Sequence, residues 1–420
     1  MRDLEPEEFF NINFISEKFV ETANIFNFKL MEPSPLEMLS TLEAKSGGSI
    51  SNEIYAFRDK GDRQVALRFD LTVGLTRYVV SRRDLKMPVK VASIAGVWRY
   101  DEPQAGRYRF FHQWDLEIYG PFSTESDAEI IEFISILFKK MGLNVVIEIS
   151  SRDLIQEYIT SNLGVDDQQT ISEMFRAVDK VSKKGALAVI HEYENRIQSS
   201  KLRSLIELSK LKGTLDAVQS KVDTKQLAGW TKLEELMSSL KDRKVANAQI
   251  NLGIIRGLDY YSGLVFEAFD TSPEIGALVG GGRYDKLTEA FGRKDIGATG
   301  AAGGVERIAI ALQKHGILKP TSRPLAYVAY ESQENKKGAL ELVSDLRNRG
   351  IMVDYDILGR ALRKQLDDSA SKGAKLTIII DSKKGATEHD IRISMNDGSQ
   401  MKIRRDDIAG LLPELLYSQN

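Results

Sequence analysis

The segment Arg256-Gly-Leu-Asp-Tyr-Tyr-Ser-Gly-Leu-Val-Phe-Glu267 sets one guanidinium, one carboxylate and two phenols within six residues, just before an apolar run from Leu264 to Phe266 that reads as a buried strand. Arg256 must meet an anion and Asp259 a donor, because a charge withdrawn from water unpaired costs several kcal/mol. Two readings stand open on these residues alone: a structural ion pair beside a core strand, or a cation aimed at a bound anion.

A second cluster lies upstream. Arg99, Arg107 and Arg109 share the loop Arg99–Phe111 with Gly106 and several aromatic residues. Guanidinium groups bind phosphate oxygens bidentately and rings stack on bases, so the loop suits an anionic, planar ligand such as a nucleotide. The alternative is a charged hairpin in solvent. Immediately after it, Gln113, Asp115 and Glu117 recur at period two. Three polar side chains therefore share one face of a strand, either open to water or lining a polar pocket. Two small-residue stretches complete the set. Gly280-Gly-Gly-Arg-Tyr-Asp285 allows close backbone approach to a ligand, and Gly297–Gly304 reads as a loop feeding a helix with Arg307 in its first turn.

These groups need a scaffold of more than one core. At 420 residues the chain predicts two or three domains, and it holds 42% apolar and 28% charged residues with no run long enough to span a membrane. Cysteine is absent, which removes disulfides and thiolate zinc sites and fits a cytoplasmic location. The four histidines have no ligand spacing. Net charge is −2, and from Arg323 onward 16 Lys and Arg face 15 Asp and Glu, so no broad basic footprint marks a nucleic-acid surface.

Taken in order, residues 1–150 read as a mixed α/β unit. A helix is expected over 14–27, a short extended piece over 29–36 broken by Pro33 and Pro35, and a hairpin near Tyr55–Phe69. A helix over 73–82 and strands over 89–100 and 110–119 follow. Hairpin-length links predict an antiparallel sheet. Residues 151–245 read as a helical insertion, with a last helix over 214–240. Strands return over 246–318, residues 319–324 read as a linker, and 325–420 alternate strand and helix as a small parallel or mixed α/β domain.

Arg68-Phe-Asp-Leu-Thr72, the loop Arg99–Gln113, Arg256-Gly-Leu-Asp-Tyr-Tyr261, Gly280–Asp285 and Gly304-Val-Glu-Arg307 together resemble histidyl-tRNA synthetase, and in that family's order. The pattern Gly359-Arg…Lys364-Gln-Leu resembles its C-terminal anticodon-binding domain. Archaeal or eukaryotic-like members are most similar, because Asp70 stands where bacterial ones more often carry Glu. The resemblance implies an α+β fold: a class II catalytic domain on an antiparallel sheet, a helical insertion and the anticodon domain, in a homodimer.

It also implies a reaction and roles. L-Histidine and ATP, with Mg2+ carried by the nucleotide, would give histidyl-adenylate, and the histidyl group would pass to tRNA(His). Arg256 and Arg99 would be catalytic, stabilising charge at the α-phosphate. Arg107 and Arg307 would bind distal phosphates, with Phe111 stacked on adenine. Asp70, Leu71, Thr72 and Gln113 would hold the α-amino end of histidine, Glu117 its imidazole N–H, and Tyr260, Tyr261 and Tyr284 would wall the ring. Two departures from the family pattern stand out. Gly300-Ala301 replaces a common Gly-Phe, and two prolines compete for the dimer-interface position in the first motif. The rival expectation is a non-catalytic paralogue acting as a histidine or tRNA sensor or regulatory subunit.

Overall fold

The computed structural model describes residues 3–46, 53–100, 108–221, 227–255, 261–272, 275–318, 325–380, 390–395 and 398–417. Arg107, Arg256 and Tyr260 therefore lie outside the described residues. The chain divides into two compact units, Met1–Lys319 and Pro320–Asn420.

Strands of the first unit are β1 (Lys29–Leu30), β2 (Leu36–Met38), β3 (Ala56–Arg58), β4 (Gln64–Leu67), β5 (Val89–Trp98), β6 (Phe110–Gly120), β7 (Val145–Ser151), β8 (Lys212–Gly213), β9 (Ala248–Asn251), β10 (Leu264–Asp270), β11 (Ala277–Arg283) and β12 (Gly297–Gly304). Nine of them form one sheet in the order β1-β5-β6-β12-β11-β10-β7-β9-β8, and β2-β4-β3 form a small separate one. Only the β1–β5 and β7–β9 pairs of the large sheet are parallel.

One face of the large sheet is sealed by helices. Pro6–Ile25 begins with proline at its first position, Glu8 closes its start by accepting from the Glu5 amide at 3.2 Å, and it buries Ile12, Ile15, Phe19 and Ala23. Phe19 stacks on Trp114 of β6 with ring centroids 5.3 Å apart. Thr124–Met141, which the sequence reading passed over, is capped by Ser123 and stopped by Gly142 at φ 76°. Its Ile130, Ile134, Leu137 and Phe138 join the same core as Trp114, Leu116 and Ile118. With that side of β6 committed to the core, alternation sends Gln113, Asp115 and Glu117 to the opposite face.

The small-residue stretches differ from expectation. Gly297–Gly304 is not a loop but strand β12, and together with β11 it forms the middle of the sheet. Glycine is a poor strand former in isolation, yet here bulky neighbours leave no room for anything else. A Cβ at Gly281 would lie 2.4 Å from the Gly300 carbonyl oxygen, and one at Gly303 would lie 2.4 Å from the Trp114 ring. The helix expected over 214–240 is two helices, Leu215–Gln219 and Ala228–Asp242, preceded by the edge strand β8.

The second unit carries β13 (Ala326–Tyr330), β14 (Val353–Tyr355), β15 (Leu376–Ile380), β16 (Asp390–Met395) and β17 (Gln400–Arg404) in the order β14-β13-β15-β16-β17. β13 is parallel to both neighbours, and the β15-β16-β17 end is antiparallel. Helices Gln333–Asn348, Leu362–Ser371 and Ile408–Tyr417 accompany it. Its core gathers Val328, Leu342, Leu346, Ile378, Ile393 and Leu412. Among the described residues no helix is long and apolar enough to cross a membrane.

Candidate active site

The polar face of β6 is not open to water. Gln113, Asp115 and Glu117 are all buried, Glu117 at 1% exposure. Burial obliges each to find partners, and they find them at the start of the helix Thr72–Ser81, just past β5 and just past β11. Gln113 Nε2 donates to Asp115 Oδ1 at 2.7 Å, and Thr72 Oγ1 donates to Asp115 Oδ2 at 2.8 Å. Gln113 Oε1 accepts from the Arg99 guanidinium at 3.0 Å, and Arg99 Nε also donates to the Phe69 carbonyl at 2.9 Å. The guanidinium carbon sits 5.0 Å from the centre of the Phe111 ring. Arg99, Phe111, Gln113 and Thr72 are thus one assembly. Asp70 stands beside it, its Oδ1 accepting from the Val73 amide at 3.2 Å at the start of the helix Thr72–Ser81. Leu71 differs: its side chain is wholly buried among Leu75, Val79 and Tyr284, so only its backbone can face a ligand.

The second half of the cluster surrounds Glu117. Glu117 pairs with Gly300 across the β6–β12 ladder, and a Cβ at Gly300 would fall 1.4 Å from Glu117 Oε2. The missing side chain is the space that the carboxylate occupies. The Tyr284 hydroxyl donates to Glu117 Oε2 and lies 3.4 Å from the Tyr119 oxygen. Tyr119 is 3.0 Å from Thr76 Oγ1, which donates to the Thr72 carbonyl at 2.8 Å. Burial, with Glu117 adding to it, pushes the Tyr119 phenol well up, so it stays protonated. Tyr119 and Thr76 were not foreseen. Tyr119 continues the period-two series 113, 115, 117, and Thr76 lies one turn after Thr72, so both signals were present. Tyr261 is half-buried against the cluster that contains Leu71, Tyr119 and Tyr284.

Two motif arginines play a different part. Arg283 follows three glycines, yet its guanidinium is buried and turned away to Asp127 at 2.9 Å and the Ser123 carbonyl at 2.8 Å. It fixes the strand end from which Tyr284 projects. Asp285 supports the same corner by accepting from the Ala298 amide at 2.7 Å. Arg68 donates to the Gly96 carbonyl at 2.8 Å, to the Pro33 carbonyl and to Glu32 at 2.8 Å, so it ties the first motif to β5. Arg307 opens the helix Val305–Lys314 and donates to the Ala277 carbonyl at 2.8 Å.

The arrangement has two chemical ends. Buried carboxylates at 70, 115 and 117 suit N–H donors such as an ammonium or an imidazole, while Arg99 over Phe111 suits an anion attached to a flat ring.

Comparison with known proteins bears on the family. A family model described as Histidyl-tRNA synthetase matches residues 1–308, and one described as Anticodon binding domain matches residues 324–415. The chain is 33% identical to a Histidine--tRNA ligase of Thermococcus kodakarensis over 96% of its own length and 95% of that protein's. It is 34% identical to a Histidine--tRNA ligase of Pyrococcus horikoshii, covering 99% and 98%. In fold it is similar to the crystal structure of histidyl-tRNA synthetase from Nostoc sp. PCC 7120, with TM-score 0.83 at 24% identity over 99% of this chain and 97% of that one. A Bacillus halodurans structure titled ATP phosphoribosyltransferase regulatory subunit/histidyl-tRNA synthetase gives TM-score 0.76 at 20% identity, covering 91% and 97%. Together with the face of β6 and the glycine strand beneath it, these matches place the chain in the histidyl-tRNA synthetase family.

Proposed function

We infer that this protein joins L-histidine to tRNA(His) through a histidyl-adenylate, consuming ATP and releasing AMP and diphosphate. The observation that carries the reading is Glu117, held by Tyr284 directly over the backbone of Gly300, in a chain of this family. Glu117 accepts from the imidazole N–H. Asp70, Thr72 and Gln113 take the α-ammonium, with the Leu71 backbone beside them, and Tyr260, Tyr261 and Tyr284 bound the ring. A buried acceptor left unpaired by a wrong side chain rejects it by about 10⁴-fold, which removes the need for a separate editing site.

At the other end, negative charge grows on the oxygens around the α-phosphorus and on the departing diphosphate as the histidine carboxylate attacks. Arg99 and Arg256 stabilise it as fixed cations that need not reorganise during the step. Arg107 and Arg307 hold the distal phosphates and Phe111 the adenine. Magnesium enters as part of the nucleotide substrate and supplies charge neutralisation there. In this reading residues 1–150 and 246–318 form the catalytic domain, 151–245 the insertion, 319–324 the linker and 325–420 the anticodon-binding domain, in a cytoplasmic enzyme. A homodimer fits the small sheet, where Leu36, Met38 and Phe57 are exposed beside Pro35, while Pro33 is buried against Gly74.

Pyrophosphate exchange tests the reading. Exchange should require histidine among the amino acids and fall by about 10²-fold or more in Arg256→Ala. Tight histidine binding without exchange in the unmodified protein would mark a sensor instead of an enzyme.

A further inference from the structure

Asp115 is more deeply buried than Gln113 or Glu117, at 0% exposure, and the histidine reading gives it no contact with substrate. Its hydrogen bonds nevertheless set the direction of the network around it. As a carboxylate it only accepts. Thr72 Oγ1, 2.8 Å from Asp115 Oδ2, therefore gives up its single hydrogen there. Gln113 lies between two charges of opposite sign: its amide nitrogen is 2.7 Å from Asp115 Oδ1, and its oxygen is 3.0 Å from the Arg99 guanidinium, which only donates. The amide can lie only one way round.

Fixed directions decide what the cavity shows to a ligand. With its hydrogen spent, Thr72 Oγ1 offers lone pairs and no donor, and the Gln113 oxygen keeps one lone pair beside Arg99. A free hydroxyl would turn to donate to any acceptor, the carboxylate of an amino acid included. Held by Asp115 it cannot, so this end of the cavity takes an N–H cation and refuses an anion. The holding is selective. Ser93 stands directly opposite Asp115 across the β5–β6 ladder at 1% exposure, yet its hydroxyl makes no hydrogen bond among the described residues. A spare hydroxyl on the same face thus takes no part in orienting the carboxylate.

Resting on the reading that histidine is the substrate, we propose that Asp115 is a positioning residue that sets which end of the substrate enters. It acts through Thr72 and Gln113, turning their oxygens into acceptors for the α-ammonium and barring the reversed pose in which the carboxylate would take that place. Asparagine at this position must present an amide N–H to one of the two. Facing Thr72, that N–H releases the hydroxyl hydrogen toward the ammonium. Facing Gln113, it forces the amide over and sets N–H against the Arg99 guanidinium. Either way the ammonium loses an acceptor.

The test measures binding of three ligands to the full-length protein without ATP: L-histidine; histidinol, which keeps the ammonium and lacks the carboxylate; and imidazolepropionate, which keeps the carboxylate and lacks the ammonium. Asp115→Asn should weaken histidine and histidinol by about 10- to 100-fold, the worth of a hydrogen bond to a charged group, and leave imidazolepropionate as tight as before or tighter. Retained imidazolepropionate binding also shows that the pocket is folded. Asp115→Ser, too short to accept from both partners, should give the same pattern and serves if the asparagine variant does not fold. Thr72→Val should cost histidinol much less in the Asp115→Asn background than alone; losses that multiply would mean that Asp115 acts by its charge and not through Thr72, which overturns the proposal. Equal weakening of all three ligands overturns it too, as does an unchanged histidinol affinity. Ser93→Ala, the control, should leave all three within about twofold. An unmodified protein that binds none of the three defeats the histidine reading and this inference with it, whereas failure confined to the variants leaves that reading standing.

Discussion

Replacing Gly300 by alanine puts the pocket under a defined stress. The new Cβ would lie 1.4 Å from Glu117 Oε2 and 2.4 Å from Glu117 Cδ, whereas ordinary contact begins near 3.4 Å. The carboxylate must therefore retreat by 3.4 − 1.4 = 2.0 Å, beyond the reach of the Tyr284 hydroxyl and of any imidazole placed for the native position. Misplacing a reacting or binding group by about 1 Å costs on the order of 10²-fold, so kcat/KM for histidine in pyrophosphate exchange should fall at least that far, mostly through KM. ATP affinity should move little, because Arg99 and Phe111 lie at the other end of the site. The Leu116 carbonyl, 2.6 Å from the new carbon, is backbone and yields less readily, which adds about 1–3 kcal/mol of destabilisation in urea unfolding. Gly304→Ala is the matched control: its Cβ meets nothing nearer than Arg307 Cβ at 3.8 Å, at an ordinary φ of −81°. A folded Gly300→Ala protein with a histidine KM within threefold of the unmodified one would refute the placement of Glu117 in the histidine pocket.

Arg68→Ala should unfold about 3 kcal/mol more easily, because it strips the Pro33 and Gly96 carbonyls of a buried donor; urea titration reads this, and the histidine KM of the folded fraction should stay near its original value. In the second unit the Arg360 amide donates to Asp356 Oδ2 at 2.7 Å and both the Arg360 guanidinium and Lys372 pair with Asp368, a clamp on the loop 356–361 that should be acid-sensitive. Burial alone would raise the Asp356 carboxyl, but the Arg360 amide and guanidinium outweigh it and hold it below the usual 3.8, while Lys372 and the Tyr327 hydroxyl hold Asp368 low. A depressed carboxyl stabilises above its unfolded value and loses that contribution as pH falls through the folded one. Amide exchange over 357–365, corrected for its intrinsic pH dependence, should therefore stay slow from pH 7 to about 4 and quicken below, with Asp356→Asn already fast at pH 7.

The polar face of the site was legible because a strand repeats every two residues, and Gln113, Asp115 and Glu117 cannot share a face by any other regular structure. Burial was not legible. The same alternation would serve an open sheet, and only the packing of Trp114, Leu116 and Ile118 under helices decides which face is enclosed. The glycine strands were misread for a related reason. Gly297–Gly304 has the composition of a loop, and what makes it a strand is the bulk of Glu117 and Trp114, more than 180 residues away in the chain. Arg283 carried the same ambiguity, since nothing in Gly-Gly-Gly-Arg tells that its partner is Asp127. Motif spacing identifies which residues matter together; which way each side chain turns is settled by contacts that no local window contains.

The floor beneath Glu117 is main chain, with Gly300 on β12 and its cross-strand partner Gly282 on β11 already reduced to hydrogen. Depth in that direction is therefore at its limit, since no smaller residue exists. Laboratory selection for bulkier amino acids can succeed only by trimming the side walls, Glu117, Tyr261 and Tyr284, and each of those trims also discards a group that tells one side chain from another. Relaxed size discrimination and lost chemical discrimination should arrive together in any such variant.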